Sequence, residues 1–545
     1  MPSRNFRFYQ GSSDHDSAKP PLENQSVQRP SFLPPKSYSE NASSAAGESK
    51  HPRVHTLILD LGDVLFHWST RDLEALSPQT FHAIILSPTW SRLECGLIGE
   101  DEAIANIAEE LSLDPILIQE AFTQCRKTLR VDCELVSQLT GLKEEMNGHL
   151  KVYAMTNIAK DDFARLKTTL PDWSLFDGEF TSFDAGMTKP ELGYYKHVFD
   201  RIGLDDPSSA IFVDDKVDNV NAARSLGTQG IVFESPGSLL RRLRNQLLDP
   251  VARARQYMTR NAHRHTSCIE NGPEFRDVFS QFLIQWELND ASILSLSPPD
   301  ASAADIKAGI QQACSEARTW NYFIGNPVGT TKTLPDDVDS TAMALLAFSP
   351  PASSANPILD QIAANRHERD GLVYTYFCDK RPRVCPFVMV NVLRVFYHYN
   401  RGADVKPELE HVRRILLNRG YIDGTNVYVS AEPFLYFLSC IITANPSALE
   451  LQSLGEPTIT ALRERVGRRG DSFAVAARVL ACQKLGVWAQ PDVEYLKELQ
   501  ECDGGWEIGW VCQFGRSRKK IGSRGVPTAW AIKALEFEAQ CWNIQ

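Results

Sequence analysis

The hydrophobic pattern of this chain changes its period near the middle, and the change limits the folds that are open to it. Between residues 51 and 235, short apolar runs such as HTLILDLG, LKVYAMTNI and AIFVDD alternate with helical patterns such as DEAIANIAEELSL. Beyond about residue 305, helical patterns recur at intervals of several tens of residues, as in STAMALLAF, FVMVNVLRVFYHY and SFAVAARVLACQKL. The first pattern predicts a doubly wound parallel α/β sheet, and the second predicts an all-α array of helical hairpins.

These patterns divide the 545 residues into four predicted segments. Residues 1–50 are rich in Ser, Pro, Asn and charge, which predicts a disordered tail. The α/β domain covers 51–235, with a wholly helical cap inserted at about 68–145. Residues 236–304 are expected to hold connecting helices and a linker, SILSLSPPDASAAD, and residues 305–545 the all-α domain.

Charge and hydropathy exclude several classes of partner. The chain has 57 Lys and Arg against 68 Asp and Glu, a net charge of -11, without a dominant basic run, which argues against binding to nucleic acid. Its start has no apolar signal region, and no stretch reaches the roughly 18 apolar residues of a membrane span. We therefore expect a cytoplasmic protein without a membrane span; its oligomeric state stays open.

Polar residues follow the predicted strands of the α/β half, at the sheet edge where such folds bind ligands. They are Asp60 in LILDLGDVL, Thr156 and Asn157 in YAMTNI, Lys189 in GMTKPE, and Asp214 and Asp215 in IFVDDKVDN. A single strand-end Asp can simply cap the next helix. Four motifs in order indicate a site, and together they resemble the haloacid-dehalogenase-like (HAD) phosphohydrolase superfamily.

The resemblance implies a role for each of these residues. Asp60 would be the nucleophile that attacks phosphorus, and Thr156, Asn157 and Lys189 would bind the substrate phosphate. Mg²⁺ would be held by Asp60, the Gly62 carbonyl and Asp214 or Asp215.

Position 62 departs from the pattern of this superfamily, which is Asp-x-Asp with the second Asp protonating the leaving group. Here residue 62 is Gly, and Asp63 is one residue out of register, so it is not assigned the role of the acid. A general acid contributes about 10²- to 10⁴-fold, and its loss matters least when the leaving group is itself a phosphate. The site could therefore be fully active, partly active, or a holder of diphosphate only.

A second set of motifs lies in the helical half. Asp337-Val338-Asp339-Ser340-Thr341 resembles the Asp-x-Asp signature of class II terpene cyclases, and QECDGGW (500–506) matches their Gln-x-x-Asp-Gly-x-Trp repeat. RDGLVYTYF (369–377) is a second, weaker match to this repeat. By itself the first motif could be an ordinary helix N-cap. The resemblance covers roughly 305–545 and implies an α/α-barrel, or toroid, cyclase domain.

Class II cyclisation begins with protonation of an isolated alkene, so the enzyme needs a carboxylic acid that stays neutral. Crowding of Asp336, Asp337 and Asp339 in an apolar site would raise the cost of ionising them. We expect Asp339 to donate the proton and Asp337 to orient it or to hydrogen-bond with it.

Aromatic faces would stabilise the carbocation that follows, although each aromatic residue could equally be core. The candidates are Trp320, Tyr322, Phe323, Tyr374, Tyr376, Phe377, Phe387, Tyr436, Trp506, Trp510 and Trp530. A basic, Gly-flanked loop could bind the substrate diphosphate, or it could be a solvated charge run. Its members are Arg516, Arg518, Lys519, Lys520 and Arg524.

The two halves make chemical sense together. Class II chemistry leaves the C–O bond intact, and after ring closure the carbon is no longer allylic, so an alcohol must come from P–O cleavage. The pairing resembles the HAD-like sesquiterpene cyclases that make drimane products. It implies that farnesyl diphosphate is protonated to a bicyclic diphosphate, which a Mg²⁺-dependent phosphatase site then converts to the alcohol.

Three alternatives remain at this point. The chain could be a cyclase only, releasing the bicyclic diphosphate while the α/β half merely holds it. DDKVD (214–218) could be the aspartate-rich motif of a class I synthase, although that motif belongs on a helix and AIFVDD reads as a strand. The helical half could also be a prenyl-binding module attached to a phosphatase, but no Asp-x-Cys zinc motif follows residue 300.

Overall fold

Five parallel strands form the centre of the N-terminal half, in the order β5-β4-β1-β6-β7. They are β1 (Thr56–Leu59), β4 (Lys151–Thr156), β5 (Gly178–Thr181), β6 (Ala210–Asp214) and β7 (Gln229–Val232). This computed structural model describes residues 54–71, 73–297, 301–315 and 317–542, so the predicted tail at 1–50 lies outside the described residues. Central strands β1 and β6 are buried along their whole length, as expected of a sheet covered on both faces.

Helices cover both faces of this sheet, as predicted for a doubly wound α/β fold. The helices of this half are α1 (Pro78–Ile85), α2 (Pro88–Glu94), α3 (Glu100–Leu111), α4 (Pro115–Lys127), α5 (Cys133–Glu145), α6 (Lys160–Thr169), α7 (Ser182–Ala185), α8 (Leu192–Ile202), α9 (Val217–Ser225) and α10 (Pro236–Leu247). Apolar side chains of α5, α6 and α10 pack on one face, and those of α8 and α9 pack on the other. The sheet core is therefore closed on both sides.

The helical cap is shorter than the sequence predicts, and the segment 68–145 is not wholly helical. Helices α1 to α4 are inserted between two short antiparallel strands, β2 (Phe66–His67) and β3 (Arg130–Val131). Helix α5, assigned to the cap by its sequence, instead packs on the sheet, because Leu135, Leu139 and Leu142 form one apolar face that belongs to the sheet core.

The C-terminal half is built mainly from helices. They are α11 (Pro250–Arg260), α12 (Val278–Leu288), α13 (Ala303–Ser315), α14 (Val338–Phe348), α15 (Ala352–Ala364), α16 (Pro386–His398), α17 (Lys406–Leu417), α18 (Glu432–Ala444), α19 (Leu449–Gln452), α20 (Gly455–Arg463), α21 (Ser472–Lys484), α22 (Gln490–Glu498) and α23 (Gly525–Trp542). Four short strands pair in the order β10-β11-β8-β9: β8 (Ser267–Ile269), β9 (Glu274–Phe275), β10 (Gly509–Gln513) and β11 (Lys520–Ser523).

Six of these helices close a ring. Each packs against the next in the order α12, α14, α16, α18, α21 and α23, and α23 packs back on α12. Helices α14 and α18 are buried on nearly every side, which is the pattern of an inner helix. Outer helices such as α17 and α22 pack against this ring and bury only one face.

The ring needs a helix that the sequence places in the linker. Helix α12 lies before the boundary predicted at residue 305, yet it contacts both α14 and α23 and completes the ring. Its sequence, VFSQFLIQWEL, is apolar on all sides, as an inner helix must be. The boundary at residue 305 was predicted from the Ser- and Pro-rich stretch that follows α12, and it lies too close to the C-terminus.

The QECDGGW segment acts as a structural clamp. The side-chain amide of Gln500 donates to the carbonyl oxygens of Pro250 (2.8 Å) and Gly504 (2.9 Å). Arg253 of α11 donates to the Gln500 side chain at 2.9 Å. Asn245 of α10 donates to the carbonyls of Lys497 and Gln500, both at 3.0 Å, so the segment also joins the two halves.

None of the described helices combines the length and the hydropathy that crossing a bilayer requires.

Arg478 is a buried cation whose loss should destabilise the ring. It is 1% exposed and donates to Asp492 (2.7 Å) and Glu432 (3.1 Å), which connects α21 with α22 and α18. Replacing Arg478 by Met leaves the buried Asp492 carboxylate without its arginine and leaves Glu432 with Arg465 alone. Removing the partner of a buried charge costs about 3–5 kcal/mol. We expect the urea midpoint measured by circular dichroism to fall accordingly.

The matched control for Arg478→Met is Arg463→Met on the exposed surface of α20. Arg463 pairs with Glu456 at 3.6 Å, and both side chains are mostly exposed, so its removal should cost less than about 1 kcal/mol. Similar losses in both variants would contradict the role assigned to Arg478.

Candidate active sites

The carboxyl ends of the sheet strands bring the predicted residues of the α/β half together. Asp60 directly follows β1, and Asp214 ends β6. The Lys189 Nζ atom lies between them, 2.8 Å from Asp60 Oδ1 and 2.6 Å from Asp214 Oδ2. All three side chains are buried, so their charges act on one another with little screening by solvent.

Thr156 is the last residue of β4 and Asn157 follows it, at the same edge of the sheet. Thr156 is buried at the end of the strand. The Asn157 side chain donates to the Lys189 carbonyl at 2.9 Å and accepts from the Lys189 backbone N–H at 2.8 Å. Asn157, predicted to bind phosphate, therefore uses its amide to fix the backbone that carries Lys189.

Three carboxylates at this edge could hold a divalent cation. Asp60, Asp214 and Asp215 each offer an oxygen within 4.8 Å of the others. Burial raises the pKa of Asp60 to about 6, against the opposing charge of Lys189, and burial also raises the pKa of Asp215. Crowded oxygen ligands of this kind suit Mg²⁺.

The placement of these acids does not fit the aspartate-rich motif of a class I synthase. Asp214 is the last residue of β6, and α9 begins only at Val217. DDKVD therefore runs from a strand end through a two-residue loop into the first turn of α9, so its acidic residues do not share one face of a helix.

The structure leaves space at position 62. A Cβ atom added to Gly62 would meet no described atom within 4 Å. The side chain of Asp63 is 56% exposed and lies 3.9 Å from the His67 ring, so it does not supply the missing carboxyl group.

In the helical half, the N-terminal ends of the ring helices meet at one site. Asp337 is the N-cap of α14, and Asp339 is the second residue of that helix. Phe279, Phe387 and Phe473 are the second residues of α12, α16 and α21. Asp339 thus occupies a position that three other helices of the ring give to phenylalanine.

Two uncharged donors hold the Asp339 carboxyl group. Tyr428 OH donates to Oδ2 at 2.7 Å, and Asn391 Nδ2 donates to Oδ1 at 2.8 Å. Arg394 Nη1 donates to Asn391 Oδ1 at 2.7 Å and so fixes the amide in this orientation. Burial raises the pKa of Asp339 to about 6, while these two hydrogen bonds and the charge of Arg394 oppose the rise.

Asp337 has a different environment. Its Oδ1 accepts the Ser340 backbone N–H at 2.7 Å, and its buried Oδ2 has no hydrogen-bond partner among the described residues. Burial raises the pKa of Asp337 to about 8. Asp277 caps α12 in the same way, but its second oxygen accepts Ser267 OH at 2.5 Å. The predicted hydrogen bond between Asp337 and Asp339 is replaced by the contacts from Asn391 and Tyr428.

Some of the predicted aromatic residues lie beside this site. The Phe387 ring lies 5.3 Å from that of Tyr428, the Tyr322 OH group contacts Cys512 Sγ at 3.4 Å, and Tyr376 pairs through its backbone with Asp337.

Two of the predicted tryptophans have packing partners deeper in the core. Trp506 is fully buried, and its indole N–H donates to the Leu496 carbonyl at 2.7 Å. The Trp530 ring packs between those of Tyr436 (4.5 Å) and Phe473 (4.8 Å). Trp506 and Trp530, which the sequence suggested as contacts of the substrate or the carbocation, therefore make structural contacts within the ring.

Sequence reasoning missed the residues that hold Asp339. Asn391 and Arg394 lie in FVMVNVLRVF, where each interrupts an apolar inner helix. A buried polar residue needs a partner, so these two interruptions were a usable signal. Tyr428 lies in the loop before α18 and gives no comparable signal.

The basic loop divides into two groups. Arg524 forms ion pairs with Asp503 at 2.9 Å and donates to the Trp506 carbonyl, so it belongs to the clamp of QECDGGW. Lys520 pairs with Glu270 at 3.6 Å. The remaining cations of the loop, Arg516, Arg518 and Lys519, are exposed between β10 and β11.

Comparison with known proteins gives matches to both halves. Residues 251–399 match the sesquiterpene cyclase astC-like C-terminal domain. The chain is 36% identical over 483 residues to drimenol cyclase drtB of Aspergillus calidoustus, and the match covers 88% of each protein. It is 39% identical over 176 residues to sesquiterpene phosphatase astK of Aspergillus oryzae, which covers 32% of this chain and 87% of that protein.

One similar solved structure is a HAD family enzyme of Bacteroides thetaiotaomicron in complex with magnesium and inorganic phosphate. It is 23% identical, with a TM-score of 0.27, and the match covers 33% of this chain and 94% of that one.

The raised pKa of Asp337 predicts that its contribution to the free energy of unfolding depends on pH. Because its pKa in the folded chain is about 8 and its usual value is 3.8, the contribution of Asp337 is fully favourable below about pH 4 and is lost as pH rises towards 8. Asn keeps the helix cap without the charge. We expect Asp337→Asn to be more stable than the wild type by about 2–4 kcal/mol at pH 9, with a much smaller difference at pH 5.

Urea unfolding at the two pH values measures this difference. Asp379→Asn, at an exposed carboxylate before α16, is the control and should change stability little at either pH. A stability difference for Asp337→Asn that does not change with pH would contradict burial as the cause of the raised pKa.

Proposed function

Because the chain belongs to the family of HAD-fused drimane-type sesquiterpene cyclases, we propose that its ring cyclises farnesyl diphosphate and its α/β half then dephosphorylates the bicyclic product to a drimenol-like alcohol. The observation that carries this proposal is the environment of Asp339, a buried carboxyl group held by uncharged donors among aromatic side chains.

Asp339 is the proton donor in this proposal. The protonated form of its carboxyl group, which a pKa of about 6 keeps populated near neutral pH, gives its proton to the terminal alkene of the prenyl chain. The hydrogen bonds from Tyr428 and Asn391 then stabilise the carboxylate that remains, which makes Asp339 a stronger acid than burial alone would allow.

Asp337 supports this step through its charge state. With a pKa raised to about 8, it stays neutral near pH 7 and places no second negative charge beside Asp339. A charged neighbour would hold the proton on Asp339 more tightly. The faces of Phe279, Phe387 and Tyr428 supply cation–π attraction to the carbocation without offering it a nucleophile.

Diphosphate is bound away from Asp339, because the alkene and the diphosphate are at opposite ends of the substrate. Arg516, Arg518 and Lys519 are the cations of the predicted basic loop that remain exposed. We assign them to the diphosphate, in place of the five-residue set that the sequence suggested, because Arg524 and Lys520 already have acidic partners.

In the α/β half, Asp60 attacks phosphorus and Lys189 neutralises the phosphoryl oxygens. The carboxylates of Asp60, Asp214 and Asp215, with the Gly62 carbonyl, would hold Mg²⁺. Bound there, the ion would neutralise charge on the phosphate. Thr156, at the end of β4, faces the same edge of the sheet and completes the set assigned to phosphate binding.

Asp339→Asn should abolish the bicyclic product from farnesyl diphosphate, with a loss of at least about 10³-fold, because an amide cannot deliver the proton. Phosphate release from a simple phosphate ester should be unchanged. Gas chromatography–mass spectrometry of the extracted products, before and after added phosphatase, measures the first, and a phosphate assay measures the second. Exposed Asp379→Asn is the control, and cyclisation retained by Asp339→Asn would remove Asp339 as donor.

Asp60→Asn should have the opposite effect. Cyclisation should continue, and the product should accumulate as a phosphorylated drimane, because the nucleophile for P–O cleavage is gone. The matched control is Asp63→Asn, at the neighbouring exposed carboxylate, which should release phosphate normally. An unchanged yield of alcohol from Asp60→Asn would show that Asp60 is not the nucleophile of the hydrolysis.

A further inference from the structure

The helical cap carries a partly buried carboxyl group that the functions described so far do not use. It belongs to Glu94, the last residue of α2. Its carbonyl accepts Ser182 OH at 2.6 Å, and the same Ser182 hydroxyl oxygen accepts the Ile158 backbone N–H at 2.9 Å. The end of α2 is therefore tied to the loop that carries Thr156 and Asn157.

The two residues after Glu94 make contacts around the same site. Cys95 interacts with the side chain of Thr188, the residue before Lys189. Gly96, with φ +67°, packs so closely on the Phe183 carbonyl that a Cβ atom would lie 2.7 Å from that oxygen. The end of α2 thus sits on the segments that follow β4 and β5 and precede Lys189, which is the edge where Asp60 lies.

The Glu94 side chain is partly buried in this position and close enough to Lys189 and Lys216 for both charges to act on it. Burial raises the pKa of Glu94, while a hydrogen bond from Trp90 and the charges of Lys216 and Lys189 oppose the rise. A partly buried carboxyl group within reach of the charge of a phosphate-binding lysine is suited to acid–base work.

We propose that Glu94 is the general acid and base of the phosphatase site, in place of the carboxyl group that is missing at position 62. The proposal rests on the hydrolytic function proposed above for Asp60. It accounts for how an alkoxide leaving group is protonated when Gly62 has no side chain and Asp63 is directed towards His67.

The two half-reactions balance as follows. The outer phosphate of the diphosphate is removed first, by attack of Asp60 on the outer phosphorus, and the leaving monophosphate needs no added proton. In the monophosphate that remains, Asp60 attacks phosphorus, the bond from phosphorus to the terpenoid oxygen breaks with its electron pair on that oxygen, and the oxygen takes the proton of Glu94. The Glu94 carboxylate then takes a proton from the water that attacks the aspartyl phosphate. The bond between phosphorus and Asp60 breaks, its electron pair returns to the carboxylate, and phosphate leaves.

The test compares two leaving groups with the full chain and Mg²⁺. Glu94→Gln should lose at least about 10²-fold in phosphate release from dodecyl monophosphate, whose alkoxide must be protonated. It should lose only a few-fold with p-nitrophenyl phosphate, whose phenolate needs no proton. Glu109→Gln, at an exposed glutamate of cap helix α3, is the matched control and should leave both rates unchanged.

A second variant separates chemistry from structure. Because the space at position 62 is open, Gly62→Asp in the Glu94→Gln background should restore at least about tenfold of the loss on dodecyl monophosphate. Equal losses on both substrates, or no loss, would overturn the role of Glu94 while leaving that of Asp60 intact. Absence of Asp60-dependent phosphate release in the wild type would overturn the phosphatase function itself, and the role of Glu94 with it.

Discussion

The contacts on which the cyclase half depends are the hydrogen bonds from Tyr428 and Asn391 to Asp339. A carboxyl group buried in an apolar site is a weak acid, because its anion is poorly solvated. In the proposed mechanism Asp339 must be a strong acid, and the two neutral donors meet this need by stabilising the anion directly, with the charge of Arg394 adding to their effect. Arg394 does not hydrogen-bond to Asp339 in the described contacts. It donates to Asn391 and so fixes the amide that donates to the Asp339 carboxyl group.

The ring architecture explains how such a group is kept dry. Inner helices must be apolar on nearly every side, so each polar residue among them needs a partner. Asp277 and Asp337 show the contrast: both cap an inner helix, but Asp277 has both oxygens hydrogen-bonded, whereas one oxygen of Asp337 has no partner among the described residues. The unpartnered oxygen therefore lies at the cap beside Asp339, where the proposed mechanism places the reacting alkene.

Some of this organisation could be predicted from the sequence, and the physical reason is local. Asp60, Lys189 and Asp214 follow parallel strands, whose ends necessarily share one edge of a sheet, so their proximity followed from order along the chain. The contact of Tyr428 with Asp339 joins residues 89 positions apart through the closure of a ring, and no local pattern encodes that. Helix α12 was assigned to the linker because the composition after it outweighed its own apolar pattern.

Helices α10 and α11 lie at the junction of the two halves, and their side chains are committed to both. Asn245 and Arg253 reach the turn after α22, while the apolar face of α10 covers the sheet. The two halves are therefore not joined by a flexible linker that could be cut between residues 235 and 305. Anyone who grafts either half onto another protein must decide which side inherits this pair of helices, since the side left without them exposes either a bare sheet face or an unclamped turn.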